Sequence, residues 1–169
     1  MDALARGELP IGESSEFSIN VQFERKCGEA FQALGFEVSQ LGQGKGRAPD
    51  ALAIARRFGY GVIIDAKVRR EGYKLGTEDR TFHEYVVRYT LQLKNEGIDK
   101  AYLVVIASKF RESDHPKLAN YLAGSEVRGI AFLSAASVMR IVEESIRDRA
   151  AFTLAEFEKV LFGSRILLA

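Results

Sequence analysis

The chain has 169 residues, 47% of them hydrophobic, and a formal net charge of +1. This length and composition fit one globular domain with a sizeable core, and they exclude a disordered or fibrous chain. No apolar run reaches the roughly 20 residues that a membrane span needs, and the first residues lack the pattern of a signal peptide. We therefore expect a cytoplasmic protein that does not enter a membrane.

The charge is unevenly distributed along the chain. Residues 43–80 hold nine Lys or Arg against five Asp or Glu, so the remainder is net acidic by three charges. A modest basic region without a long tail fits a domain that contacts backbone phosphates and is brought to nucleic acid by another domain or subunit. For any single residue, an ordinary solvated surface is the alternative.

The first elements in chain order are a leader and a helix. Residues 1–16 contain Gly, Pro and Ser without periodicity, which predicts a flexible leader or linker stub before a single domain over residues 17–169. Residues 18–34 place Phe23, Cys27 and Phe31 at helical spacing, and Gly35 stops the helix. The single cysteine is therefore predicted to be a small core residue and not a nucleophile.

A short strand at residues 37–41 precedes a basic, glycine-rich loop at residues 42–47. Its glycines let backbone amides approach a phosphate, and Lys45 and Arg47 supply positive charge. The loop lacks the Gly-Lys-Ser/Thr ending of a P-loop, so contact of Gln43, Lys45 and Arg47 with a DNA backbone is the better functional prediction. An exposed connecting loop is the alternative.

Two strands then carry three chemically important side chains. Residues 50–55 and 60–68 are apolar runs joined by a tight turn, which predicts a hairpin that brings Asp50 beside Asp65. Asp65 and Lys67 share one face because side chains alternate along a strand, and Ala66 points into the core. Two carboxylates can hold a hard cation, and an ammonium can position an attacking water. The pattern predicts a metal-dependent nuclease, although each motif alone is commonly structural.

The second half of the chain completes an α/β pattern. A helix capped by Thr77 carries a buried stripe that includes Phe82, and Arg80 and Glu84 lie on another face, where pairing within the helix is the ordinary interpretation. Residues 101–107 predict a central parallel strand, residues 129–133 a further strand, and Ser113–Pro116 the start of another helix. Ser108 and Lys109 follow the central strand and are candidates for DNA contact.

Three segments resemble a known family. Residues 41–50, 60–67 and 72–75, which include Tyr-Gly-Val-Ile-Ile-Asp-Ala-Lys and a downstream Gly-Tyr-x-Leu, are similar to the cleavage domain of the type IIS restriction enzyme FokI, within the PD-(D/E)xK nuclease superfamily. The superfamily motif is degenerate, and the longer match is more specific. The resemblance runs from about Phe23 and includes residues 101–106 and 152–157.

The resemblance implies a restriction-endonuclease-like mixed β-sheet flanked by helices and a Mg²⁺-dependent endonuclease of double-stranded DNA, with Mn²⁺ as a substitute. It implies Asp50, Asp65 and Lys67 as the catalytic residues. The metal ligands would be Asp50, Asp65 and the Ala66 carbonyl, with Glu24 as a further candidate.

Partners follow from the same resemblance. A separate domain or subunit would supply sequence recognition, and a weak or DNA-dependent homodimer would form through Arg80 and Glu84. The predicted DNA contacts are Gln43, Lys45, Arg47, Arg69, Lys74, Ser108 and Lys109. Two alternatives remain open, namely a non-cutting DNA-binding or assembly subunit on the same fold, and a DNA repair or junction-resolving nuclease.

Overall fold

A six-stranded mixed sheet forms the centre of the domain. The computed structural model describes residues 1–9, 18–42, 48–74, 79–110 and 125–167. The strands, adjacent in chain order, are β1 (Glu37–Gln40), β2 (Ala51–Ala55), β3 (Tyr60–Lys67), β4 (Lys100–Ala107), β5 (Gly129–Ser134) and β6 (Gly163–Leu167). The β1–β2 and β2–β3 pairs are antiparallel, and β3 to β6 run parallel. The predicted mixed-sheet α/β class is confirmed.

Helices cover both faces of the sheet. They are α1 (Asp2–Ala5), α2 (Ile19–Ala33), α3 (Asp79–Asn95), α4 (Ala135–Arg147) and α5 (Leu154–Leu161). Residues of α1, α2, α4 and α5 share one apolar cluster, and those of α3 belong to a second cluster on the opposite face. Within the described residues, no helix has the length and apolar character needed to cross a bilayer.

The hairpin that carries the candidate site forms as predicted. Residues 56–58 make one turn of 3₁₀ helix, and Gly59 follows at φ 67°, a left-handed conformation that costs glycine little. Ala51 then pairs with Ile64. The central strand is also confirmed, because β4 is buried from Ala101 to Ala107 and pairs in parallel with both of its neighbours.

The predicted flexible leader is wrong for the first residues. Residues 2–5 form α1, in which Leu4 is 2% exposed and Ala5 is fully buried. The backbone amide of Arg69 donates to the Ala5 carbonyl at 2.9 Å, which ties α1 to the turn after β3. Two apolar residues are too few to show a period, so burial is determined here by tertiary contact. Residues 10–17 lie outside the described part.

The predictions for the other helices and strands have different outcomes. The helix over residues 18–34 is confirmed as α2, with the Ser18 hydroxyl accepting from the Val21 amide and Gly35 at φ 102° after its end. The helix start predicted at Ser113–Pro116 and the Thr77 cap lie outside the described residues. Strand β6 was not predicted.

Candidate active site

The two aspartates meet at the carboxyl end of β3, as the hairpin predicts. The Asp50 amide donates to the Ile64 carbonyl at 2.9 Å, one position beyond the Ala51–Ile64 pair, which sets Asp50 opposite Asp65. The Asp50 carboxylate accepts from the Ala66 amide at 2.5 Å. The strand that carries Asp65 therefore also orients the carboxylate of Asp50.

Lys67 completes this group. Its ammonium lies 2.9 Å from Asp65 Oδ2, and the Lys67 side chain is only 18% exposed. Phe82 of α3 lies beneath it, with the ammonium 5.5 Å from the ring centroid. Both Asp65 and Lys67 sit on the α3 side of the sheet, while Ala66 joins the core on the other face. The predicted alternation along β3 is confirmed.

Glu24 approaches the same region from α2. A methyl group at Gly42 would lie 2.7 Å from Asp50 Oδ1, 2.9 Å from Asp50 Cα and 3.3 Å from Glu24 Oε2. Carboxylate oxygens of Asp50 and Glu24 thus border one small space that only glycine leaves open. The backbone amides of Leu41 and Gly42 both donate hydrogen bonds to the Asp50 carbonyl, at 2.9 and 3.1 Å.

The group carries more negative than positive charge. Burial, assisted by the charges of Asp65 and Glu24, raises the pKa of Asp50 to about 8, against the opposing effects of the Ala66 amide and Lys67. Burial and then Asp65 also raise the pKa of Glu24, and Lys67 opposes this shift. Burial and neighbouring negative charge thus disfavour the ionised forms of Asp50 and Glu24, an arrangement typical of functional sites.

The donor set fits a hard divalent cation. Carboxylate and carbonyl oxygens are the ligands that Mg²⁺ prefers, and crowded carboxylates are relieved by a positive ion. Over the described ranges, no three Asp, Glu, His or Cys side chains stand close enough together to hold one metal ion. A metal at this site would therefore use the carboxylates of Asp50 and Asp65 with a backbone carbonyl, and Glu24 would lie further out.

Several of the predicted DNA contacts lie on the two segments that follow β3 and β4. The Ser108 hydroxyl donates to the Arg69 carbonyl at 2.8 Å, and the Tyr73 amide donates to the Lys109 carbonyl at 3.0 Å. These bonds join the segment after β3 to the segment after β4, so that exposed Arg69, Lys74 and Lys109 lie on adjoining segments. Ser108 itself is half-buried and connects the two segments.

Some predicted residues cannot be placed. Gln43, Lys45 and Arg47 lie outside the described residues. Arg80 is on α3, one turn before Glu84, and its side chain is also outside the described part. Glu84 is exposed on α3, together with Arg88, Val87 at 44% and Leu91 at 59%.

Two site residues escaped the sequence analysis. Gly42 was assigned only to a phosphate-approach loop, and Phe82 only to the core. The Gly-x-Gly pattern that begins at Gly42 indicates a close approach to the backbone, because glycine has no side chain to prevent it. Nothing in the sequence shows which apolar residue of α3 faces Lys67.

Comparisons with known proteins agree with this fold. The structure of the restriction endonuclease FokI has a TM-score of 0.73 and 20% identity, covering 88% of this chain and 29% of that chain. The structure of FokI bound to DNA has a TM-score of 0.73 and 21% identity, covering 98% of this chain and 30% of that chain. No curated protein sequence matches. The family model of the FokI cleavage domain matches residues 9–167, and the chain belongs to that family.

Proposed function

We propose that this chain is a Mg²⁺-dependent endonuclease domain or subunit that hydrolyses DNA phosphodiester bonds. The observation that carries the proposal is the joint placement of Asp50, Asp65 and Lys67 at one end of β3, with the Ala66 amide fixing Asp50. Membership of the FokI cleavage-domain family supports the reaction class.

The metal would be held by Asp50, Asp65 and the Ala66 carbonyl, and Glu24, whose carboxylate borders the same space as that of Asp50, would add negative charge beside it. When bound, Mg²⁺ or Mn²⁺ supplies a positive charge that stabilises the phosphorane-like transition state and lowers the pKa of water. The raised pKa of Asp50, caused by burial and by the charges of Asp65 and Glu24, supports this assignment, because a cation would favour the ionised form of Asp50.

The chain's own groups perform the remaining steps. Lys67 orients the attacking water and offsets the charge that develops on the phosphate. Asp65 holds the Lys67 ammonium at 2.9 Å, which limits its range of positions. Water attacks phosphorus directly and loses a proton to solvent, one P–O ester bond breaks, and the leaving oxygen takes up a proton from water. No covalent bond forms between the enzyme and DNA.

Exposed basic residues support double-stranded DNA as the substrate. Arg69, Lys74 and Lys109 are exposed on the two linked segments that follow β3 and β4, from which they would contact backbone phosphates. Phosphate contacts carry affinity without sequence information. The chain spans less than a third of the FokI chains that it matches, and we assign sequence recognition to a separate domain or subunit.

This assignment predicts weak, sequence-independent binding by the chain alone. Affinity for duplex DNA, measured by fluorescence anisotropy in Ca²⁺, should fall steeply with salt and be equal for unrelated sequences. Ca²⁺ should support binding without turnover, because its looser coordination positions water poorly. A footprint at one defined sequence would contradict the assignment.

Pairing of two domains through α3 would place one active site at each strand of the DNA duplex. Its outer face exposes Glu84 and Arg88 beside Val87 and Leu91, at the i, i+3, i+4 and i+7 positions of a helix. This face is small, so we infer a homodimer that is weak in solution and forms on DNA, where the effective concentration is higher.

Charge reversal tests the pairing. Glu84→Arg should lower the yield of linear plasmid relative to nicked plasmid, because the new positive charge would lie opposite Arg80 of the second copy and repel it. Mixing it with Arg80→Glu should restore double-strand cleavage, since the mixed pair regains opposite charges. An unchanged ratio of nicked to linear plasmid in both single variants would place the contact elsewhere.

A supercoiled-plasmid assay tests the function itself. Wild-type protein should nick and linearise plasmid in Mg²⁺ or Mn²⁺ and be inactive in EDTA, and Asp65→Ala should be inactive with an unchanged circular dichroism spectrum. Wild-type protein that binds DNA and cuts none of it would instead support the non-cutting assembly subunit. Equal cutting by Asp65→Ala would overturn the site.

A further inference from the structure

The Lys67 ammonium has an aromatic neighbour as well as an acidic one. Phe82 is 2% exposed, and its ring centroid lies 5.5 Å from Lys67 Nζ. A cation within about 6 Å of a ring face is attracted by the negative face of the π-system, more strongly where water is excluded. We propose that Phe82 is a positioning residue that holds the Lys67 ammonium for the reaction, an inference that rests on the proposed nuclease function.

Phe82 is itself held in place by a row of rings. The Tyr73 ring packs edge-on against Phe82 at 6.4 Å and against Phe110 at 6.2 Å. The Tyr73 amide is bonded to the Lys109 carbonyl, and Tyr73 pairs with Phe110 in a single parallel bridge. The orientation of the Phe82 ring is therefore fixed by α3 and by the segments after β3 and β4 together.

The Phe82 ring attracts the Lys67 ammonium as well as filling space beneath it. Asp65 is both the ion-pair partner of Lys67 and a proposed ligand of the divalent cation. When the cation is bound, its positive charge offsets that of the carboxylate, so Asp65 attracts the Lys67 ammonium less strongly. The face of the Phe82 ring keeps its attraction in either state. A leucine would fill much of the same space without attracting a cation.

Substitutions can separate attraction from packing. Phe82→Leu should lower kcat for plasmid nicking in Mg²⁺ by roughly threefold to thirtyfold, with KM for DNA nearly unchanged. Phe82→Tyr keeps the ring and should restore most of the rate. Phe82→Met provides a second ring-free variant if the leucine variant does not fold.

A matched control comes from the same apolar cluster. Phe132 on β5 is also 2% exposed, and its ring packs against Phe110 at 5.3 Å. Phe132→Leu should lower the unfolding temperature about as much as Phe82→Leu, because both remove a buried ring. Its kcat, measured well below the unfolding transition, should match that of the wild type.

A spectroscopic readout tests the contact without activity or metal. In the metal-free protein, the Lys67 Hε protons should be shifted upfield by the Phe82 ring current in the wild type and Phe82→Tyr. They should return to ordinary values in Phe82→Leu, and Phe132→Leu should leave them shifted.

The outcomes separate the two proposals. If the wild type cuts DNA and Phe82→Leu cuts equally well, or if Phe132→Leu loses as much kcat, the inference is overturned and the nuclease function stands. Unshifted Lys67 Hε protons in the wild type would overturn it as well. A wild-type chain that cuts no DNA in Mg²⁺ or Mn²⁺ overturns the proposed function, and the inference falls with it.

Discussion

At the amino end of β4, charged and polar groups are matched to one another, whereas at the carboxyl end of β3 they are crowded. Glu158 of α5 accepts from the Lys100 ammonium at 2.7 and 2.9 Å and from the Tyr102 hydroxyl at 2.8 Å. The neighbouring Tyr60 hydroxyl donates to the Leu154 carbonyl at 2.7 Å. At this end of the sheet one carboxylate pairs with one ammonium, and the hydroxyls of Tyr60 and Tyr102 both have a hydrogen-bond acceptor.

The opposite end gathers three carboxyl groups around one ammonium. Lys67 pairs with Asp65 at 2.9 Å, much as Lys100 pairs with Glu158, but Asp50 and Glu24 add negative charge close by. Burial, together with the neighbouring negative charges, raises the pKa values of these two acids. The two ion pairs are similar in length but differ in their surroundings. The Lys100–Glu158 pair joins α5 to the sheet, and the Lys67–Asp65 pair belongs to the site that we propose binds a cation.

The largest expected difference between the two ends concerns cleavage. Lys67→Met should lower kcat for plasmid nicking by at least roughly 10²-fold, because it removes a group that acts on the transition state. Lys100→Met should leave kcat near the wild-type value. Rates measured in Mg²⁺ at equal concentrations of folded protein check both expectations, and equal losses would show that the two lysines are both structural.

The next difference concerns stability at the matched end. Glu158→Gln should lower the free energy of unfolding by roughly 1–3 kcal/mol, because it weakens the hydrogen bonds of a partly buried carboxylate to Lys100 and Tyr102. Urea denaturation monitored by circular dichroism measures the change. A variant as stable as the wild type would mean that α5 is held by its apolar contacts alone.

The last expected effect has the opposite sign. In EDTA at about pH 8, Asp50→Asn should stabilise the protein, because it removes a largely buried charge beside other carboxylates. The pKa of Asp50 is raised to about 8, so the folded state keeps a proton that the unfolded state loses, and wild-type stability falls as the pH rises from about 4 to about 8.

The advantage of Asp50→Asn should therefore shrink as the pH is lowered toward about 4, where both states are protonated. Urea denaturation in EDTA across this range tests the trend. A wild-type protein that gains stability with rising pH relative to Asp50→Asn would contradict the crowding that we describe.

The sequence was most informative where structure depends on local pattern. The apolar runs on either side of Gly59 predicted the hairpin, and alternation along β3 placed Asp65 and Lys67 on one face. The helix over residues 18–34 followed from its spacing and its glycine stop. These features depend on residues close together in the chain, where period and turn chemistry act directly.

Features created by tertiary contact could not be predicted in the same way. Burial of Leu4, the proximity of Glu24 to Asp50, and the seating of Lys67 over Phe82 each depend on how separate elements pack. Strand β6 pairs in parallel with β5, so its partner lies far away in the sequence. Neither periodicity nor motif spacing contains this information.

The central claim is that the crowded carboxylates hold a divalent cation. Titration calorimetry with Mn²⁺ in the absence of DNA tests it directly, with wild type, Asp50→Asn and Glu158→Gln compared. We predict saturable binding by the wild type and Glu158→Gln, and at least roughly tenfold weaker binding by Asp50→Asn. Equal Mn²⁺ affinity in all three proteins would contradict the account.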